Sequence, residues 1–135
     1  MLKYMLDTNI CIYVIKRKPL EALSKFNEHS GQLAISSITL AELIHGAEKS
    51  NYIERNLRIV EDFCSRLEVL GYAEKAAAHY GSIRSDLEKK GQTIGVNDLH
   101  IAGHARSEGL VLVTNNLKEF NRVDALRTAN WVDHS

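Results

Sequence analysis

The chain has 135 residues, 44% of them hydrophobic and 25% charged, which is the size and composition of one globular domain with its own core. Seventeen basic residues balance seventeen acidic ones, so no net charge draws the chain to nucleic acid or membranes, and a polyanion would need a local patch. Two cysteines exclude a disulfide framework, and no apolar run reaches the length of a membrane span. We therefore expect a cytoplasmic protein with no membrane partner, folded as a single domain over residues 1–135.

Apolar residues follow two alternating patterns along the chain, short continuous runs and helical spacing. In chain order these patterns predict a strand over residues 2–6, helices over 10–16 and 20–27, a strand over 33–36, helices over 38–49 and 52–67, a strand over 68–70, helices over 73–90 and 97–109, a strand over 110–114, a loop or helix start over 115–120, and a final edge strand at Trp131–Val132. This alternation favours an α/β fold, a three-layer α/β/α sandwich around a mostly parallel central sheet.

Polar residues at the ends of the first two strands can start the helices that follow. Asp7 ends the first strand, and Thr8 and Asn9 are available to cap the next helix. Ser37 is in position to cap the helix after the second strand. A single Asp in such a place is equally well an ordinary turn or capping residue.

Two more acidic residues stand at comparable junctions. Glu42 lies one turn into the helix after the second strand, and Asp98 begins the helix that leads to the last apolar strand. If the strands are parallel neighbours, Asp7, Glu42 and Asp98 converge at the carboxyl edge of the sheet, where ligands bind in open α/β folds. Such carboxylates would repel one another and need a cation. Oxygen ligands suit Mg²⁺ or Mn²⁺, and the matching chemistry is phosphodiester hydrolysis.

Four short motifs occur in a fixed order: MLDTN at 5–9, SSITLAEL at 36–43, NDLHIA at 97–102 and VTNN at 113–116. Together they resemble a PIN domain, most closely the VapC family of ribonuclease toxins. The resemblance implies a Mg²⁺- or Mn²⁺-dependent endoribonuclease on an α/β/α fold. It also implies a homodimer, inhibited by a small VapB-like antitoxin in a larger hetero-oligomer, with operator DNA bound only through the antitoxin. Members of the closest subgroup often cut tRNA in the anticodon loop, so RNA, with initiator tRNA preferred, is the implied substrate.

Carried over by position, Asp7, Glu42 and Asp98 match the three acidic metal-site residues of the family. Many PIN domains have a fourth acid where this chain has Asn116, which can orient water or phosphate but carries no charge. Glu119 is the nearby carboxylate that could replace it.

Three further residues beside these acids have two open interpretations. Thr8, Asn9 and Thr114 match positions from which side chains hydrogen-bond the carboxylates of a metal site. The alternative is that they only cap helices and satisfy the end of a strand.

Other functional classes are less well supported by the residues. His100 and His104 have the spacing of a zinc pair but lack the acidic residue and third ligand of a zinc enzyme. Basic residues at 16–18, 89–90 and 106 could flank an RNA groove. The main alternative to a nuclease is a non-catalytic PIN-like scaffold that binds RNA or protein, although such a protein would be expected to lack one of the three core acids.

Overall fold

Five short strands and seven helices alternate along residues 1–132, the part of the chain that the computed structural model describes. The strands are β1 (Tyr4–Leu6), β2 (Leu33–Ser36), β3 (Glu68–Leu70), β4 (Val111–Val113) and β5 (Thr128–Ala129). The helices are α1 (Thr8–Lys16), α2 (Leu20–Glu28), α3 (Ser37–Glu48), α4 (Ile53–Cys64), α5 (Glu74–Lys89), α6 (Val96–Ser107) and α7 (Leu117–Phe120). The predicted domain limit at residue 135 lies outside the described residues.

The strands form one parallel sheet in the order β3-β2-β1-β4-β5. In the central strand, Tyr4 is aligned with Leu33 of β2 and with Val111 of β4. Because the strands are parallel, their carboxyl ends lie at the same edge, which we call the carboxyl edge. The predicted parallel sheet is confirmed, and it brings the segments after β1, β2 and β4 together.

The sheet separates two apolar cores. Leu6 and Val113 belong to the core covered by α1 to α4, whereas Met5 and Leu112 belong to the core covered by α5, α6 and α7. Neighbouring strand residues therefore bury their side chains on opposite faces, as the pleat of a strand requires. Helices cover both faces, which confirms the three-layer α/β/α architecture. No helix among the described residues combines the length and apolar character needed to cross a membrane.

The first two caps lie one residue earlier than the sequence predicts. Asp7 itself is the N-cap of α1, and its Oδ1 accepts a hydrogen bond of 2.9 Å from the N–H of Ile10. Ser36 is the N-cap of α3 and accepts from Ile38. The predicted caps Thr8, Asn9 and Ser37 were wrong because each strand leads straight into its helix, so the last extended residue serves as the cap.

Helix α6 packs unusually closely against α5. Residues 101–105 are all buried, and a Cβ added to Gly103 would lie 2.8 Å from the backbone nitrogen of Tyr80. This helix begins at Val96 after the cap Gly95. The predicted start at Asn97 or Asp98 was therefore one or two residues late, and Asp98 lies in the first turn.

The last predicted strand is in the wrong place. β5 consists of Thr128–Ala129, paired with β4, whereas Trp131 and Val132 follow it outside the sheet. Their side chains are buried in the core on the α1 side, where the Trp131 ring packs against Tyr4. Hydrophobicity correctly indicates burial here but does not distinguish a strand from an apolar segment that covers the end of a core.

Candidate active site

The four predicted acids meet at the carboxyl edge. Asp7 ends β1, Glu42 lies on α3, Asp98 in the first turn of α6, and Glu119 on the short α7 after β4. Burial raises the pKa of Asp98 to about 6, with further increases from the negative charges of Asp7, Glu119 and Glu42. Each of these three carboxylates therefore lies close enough to act on Asp98, and Glu119 is one of the negative charges that do so.

Asp7 is the most buried member of this group, with 4% of its surface exposed. Burial raises its pKa, and the negative charge of Glu42 adds to that effect. The Thr114 side chain and the backbone N–H groups of Ile10 and Asn9 oppose the increase by stabilising the carboxylate. Asp7 thus has two roles, because the same carboxylate caps α1 and contributes charge to the site.

Glu42 is held from both sides. The hydroxyl of Thr8 donates a hydrogen bond of 2.5 Å to its Oε1, and the Asn97 side-chain amide donates one of 3.2 Å to its Oε2. Behind them, the hydroxyl of the buried Thr39 lies 3.3 Å from that of Thr8, within hydrogen-bond distance. These contacts fix the Glu42 carboxylate between α1 and the start of α6.

The other three residues proposed to support the acids differ in what they do. Thr114 is fully buried, acts on Asp7, and accepts a hydrogen bond of 2.9 Å from the N–H of Asn116. Asn9 has an exposed side chain and reaches Asp7 only through its backbone. Asn116 is the N-cap of α7 without a side-chain capping bond. Thr114 therefore acts on Asp7 through its side chain, whereas Asn9 acts on it through its backbone N–H.

Sequence reasoning missed Asn97 and Thr39 as residues of the site. Asn97 directly precedes Asp98 in the third motif, and Thr39 lies three residues before Glu42 in the second motif. Residues three apart share one side of a helix, so Thr39 could have been found from its spacing to Glu42. The contact of Asn97 with Glu42 spans 55 positions and depends on how α3 and α6 pack, which the sequence pattern does not specify.

The donor set is suited to a hard divalent cation, since all four acidic residues offer carboxylate oxygens and their mutual repulsion favours a positive ion. Over residues 1–132, however, no three acidic, histidine or cysteine side chains are already close enough together to hold one metal ion. The chemistry of the residues fits Mg²⁺ or Mn²⁺. The acidic side chains would have to rotate toward one another to bind such an ion together.

The two histidines of α6 have partners other than each other. Nδ1 of His104 lies 2.7 Å from the hydroxyl of Ser36 inside the core, and Nδ1 of His100 lies 2.7 Å from the hydroxyl of Tyr72. Burial lowers the pKa of both imidazoles. These contacts agree with structural roles for both residues.

Comparison with known proteins places this arrangement in a family. The sequence model of the PIN domain matches residues 4–126, a range that includes all four acids. The chain belongs to the PIN domain family. Within this family it belongs with the VapC proteins, as the motifs indicate.

Two PIN-domain relatives and one solved structure show how close this relation is. The chain is 66% identical to Ribonuclease VapC2 of Haemophilus influenzae over 132 residues, covering 98% of this chain and 100% of the relative. It is 56% identical to the tRNA(fMet)-specific endonuclease VapC of Shigella flexneri over 131 residues, covering 97% and 99%. The crystal structure of DNA-bound VapBC from Salmonella typhimurium superimposes with a TM-score of 0.94 at 56% identity, covering 98% of this chain and 100% of that one.

Proposed function

We propose that this VapC-type PIN domain is an Mg²⁺- or Mn²⁺-dependent endoribonuclease that acts as the toxin of a toxin–antitoxin pair. The observation that carries the proposal is the meeting of Asp7, Glu42, Asp98 and Glu119 at the carboxyl edge, where each of the other three acids raises the pKa of Asp98. Four acids gathered at one edge are costly unless they hold a cation. The ribonuclease names of close relatives support RNA as the substrate.

Asp7, Asp98 and Glu42 would hold the metal ion, with Glu119 beside them. When bound, the ion would supply positive charge to the scissile phosphate and to the attacking water. Thr114 and two backbone N–H groups stabilise the carboxylate form of Asp7 and so oppose the rise in its pKa that burial causes. Thr8 and Asn97 fix both oxygens of Glu42, so this carboxylate can orient a water without first losing rotational freedom.

We propose tRNA as the substrate, cut in the anticodon loop, with initiator tRNA preferred. The support is the tRNA(fMet)-specific endonuclease of Shigella flexneri, which is 56% identical over nearly the whole chain. Single-stranded loops offer unstacked bases and an accessible backbone, which suits an open edge of a sheet. A cytoplasmic location follows from this substrate.

We further propose a VapB-like antitoxin as the partner, in a hetero-oligomer built on a toxin homodimer, with operator DNA bound only through the antitoxin. Solved relatives include three VapBC complexes, two of them bound to DNA. This chain has a groove of about 560 Å³ between α1, α3 and α4. Its lining includes Ile12, Ile15, Leu43, Ile59 and, at the active site, Glu42. An apolar peptide lying there would bring a Lys or Arg side chain within reach of the acids.

The test is cleavage of total bacterial RNA by purified protein with Mg²⁺, with Mn²⁺ and with EDTA, comparing the wild type with Asp7→Asn. Discrete products that require metal and disappear in the variant would establish the nuclease, and mapping their ends would identify the substrate. A folded, antitoxin-free protein that cuts no RNA with either metal would instead indicate the non-catalytic binding scaffold.

A further inference from the structure

Beside the acidic site, α5 and α6 carry a group of rings and one arginine that the proposed chemistry does not use. The Tyr80 ring stacks on His100, with centroids 4.0 Å apart and planes 8° from parallel. The Tyr72 hydroxyl shares a hydrogen bond of 2.7 Å with Nδ1 of His100. Arg84 donates a hydrogen bond of 2.6 Å to the hydroxyl of Tyr80. We call Tyr72, Tyr80, Arg84 and His100 the Arg84 cluster.

The packing of the two helices places this cluster near the start of α6, the helix whose first turn carries Asp98. α5 and α6 run antiparallel, since Lys75 pairs with Glu108 near the start of α5 and the end of α6, and Tyr80 meets His100 further along. Arg84, one turn beyond Tyr80, therefore points toward the start of α6. There Asn97, one turn before His100 on the same side of the helix, donates to Glu42.

Arg84 is held in place by the hydroxyl of Tyr80 and by an ion pair with Glu88, and not by the acids of the site. Its Nη1 donates to Tyr80 and its Nε donates 3.3 Å to Glu88, which uses two of the five N–H donors of a guanidinium. The side chain is 42% exposed. Arg84 is not among the groups that change the pKa of Asp98. Arg84 is thus a fixed, partly exposed cation on the side of α5 that faces the start of α6, with donors left for another ligand.

Two other cations in this region, both predicted to flank an RNA groove, are held at Asp124. Lys90 forms ion pairs with both Asp86 and Asp124. Arg106 donates to His79 and to the carbonyl of Asp124. Arg84 differs from both in its partners, since Tyr80 and Glu88 hold it and Asp124 does not.

We propose that Arg84 binds a phosphate of the RNA strand next to the one being cut, and that Tyr80, His100 and Tyr72 position its guanidinium. This inference rests on the proposed function, since RNA is the ligand. A guanidinium can bind a phosphate through two parallel hydrogen bonds. A contact outside the acids attracts the polyanion without neutralising the carboxylates that the metal needs.

The test measures RNA affinity rather than cleavage. Full-length proteins carrying Asp98→Asn are titrated, with Mg²⁺ present, into a fluorescein-labelled tRNA anticodon stem-loop, and fluorescence anisotropy gives the Kd at several salt concentrations. Adding Arg84→Gln should weaken binding about fivefold to tenfold and reduce the slope of log Kd against log salt by about 0.7 to 0.9, as the loss of one phosphate contact predicts. Tyr80→Phe, which keeps the ring and removes the hydroxyl, should weaken binding about twofold.

Arg66→Gln is the matched control, because Arg66 is also an exposed helical arginine paired with an acid four residues away, Asp62. It should change the affinity less than twofold and leave the salt slope unchanged. Melting temperatures within a few degrees of the parent protein would establish that each variant is folded.

The proposal is overturned if Arg84→Gln matches its parent in affinity and salt slope, or if the parent binds no RNA. A loss of self-association in sedimentation velocity, with unchanged RNA affinity, would assign the cluster to an interface between copies instead. A wild-type chain that binds RNA through Arg84 but cuts none would reject the nuclease proposal while leaving this inference in place.

Discussion

The hydroxyl of Thr8 donates a 2.5 Å hydrogen bond to the carboxylate of Glu42, 34 positions away in the sequence. Thr8 lies in the first turn of α1 and Glu42 on α3, so this bond joins the segments that follow β1 and β2. It turns an otherwise mobile glutamate into a fixed member of the acidic site.

Replacing Thr8 by Val should therefore lower the rate of RNA cleavage at saturating substrate by about tenfold, the usual effect of removing a residue that orients a metal-site carboxylate. Val keeps the shape of Thr but cannot donate, whereas Thr8→Ser retains the hydroxyl and should stay within about threefold of the wild type. Steady-state kinetics with a labelled anticodon stem-loop measure both. Equal rates for the Val and Ser variants would show that the hydrogen bond does not matter for catalysis.

Asp98→Asn should stabilise the metal-free protein, and by more as the pH rises. The pKa of Asp98 is about 6 in the folded chain and 3.8 normally, so the folded state favours the protonated acid. The contribution of Asp98 to the free energy of unfolding is therefore fully present below pH 4 and is lost as the pH rises through 6. For a partly exposed carboxylate the loss is about 1 to 2 kcal/mol.

Urea unfolding in EDTA at pH 4.5 and pH 8 measures this effect. The free energy of unfolding of Asp98→Asn should exceed that of the wild type clearly at pH 8 and only slightly at pH 4.5. An equal gain in the free energy of unfolding at pH 4.5 and at pH 8 would mean that the gain does not come from removing the charge of Asp98.

Asp7 should show a separation of its two roles. Removing its charge relieves repulsion among the acids, but Asp7 also caps α1 through Ile10. Asp7→Ala should lose about 1 kcal/mol of stability from the cap, whereas Asp7→Asn retains a capping oxygen. Both should lose cleavage. Thermal or urea unfolding together with an RNA assay tests this, and an Ala variant as stable as the Asn variant would show that the cap contributes nothing.

Gly103→Ala should destabilise the fold by about 1 to 3 kcal/mol. The added Cβ would lie 2.8 Å from the backbone nitrogen of Tyr80 and 3.1 Å from the carbonyl oxygen of Ala76, and backbone atoms cannot move aside without separating α5 from α6. Gly81→Ala is the matched control, because nothing lies within 4 Å of its Cβ, and it should be neutral or stabilising by up to about 1 kcal/mol. Urea unfolding compares them, and a neutral Gly103→Ala would contradict the close packing.

The sequence pattern predicts most of this fold because period and length separate the helices from the buried strands. Asp7, Glu42 and Asp98 could be placed at one edge once the strands were taken as parallel. The exact caps could not be predicted. Asp7 and Thr8 are both good capping residues, as are Ser36 and Ser37, and only the backbone conformation decides which residue of each pair is the cap.

Long-range contacts are the part that the sequence does not supply. Asn97 and Thr8 contact Glu42 only because α3 lies between α1 and α6. Burial on α3 also depends on such contacts. Ile44 is 38% exposed, whereas the neighbouring apolar residue Leu43 is buried. The charge of Glu119 on Asp98 likewise depends on where α7 lies after β4.

Metal-dependent cutting of RNA by the acids at the carboxyl edge can be measured on a single tRNA. Purified wild-type protein and Asp98→Asn are incubated with initiator tRNA while Mn²⁺ is titrated from an EDTA-treated start. We predict that the wild type makes one discrete cut, at a rate that rises with the Mn²⁺ concentration. The rate of Asp98→Asn should be lower than that of the wild type by at least about a hundredfold. Cleavage that persists in EDTA, or at an equal rate in the variant, would contradict it.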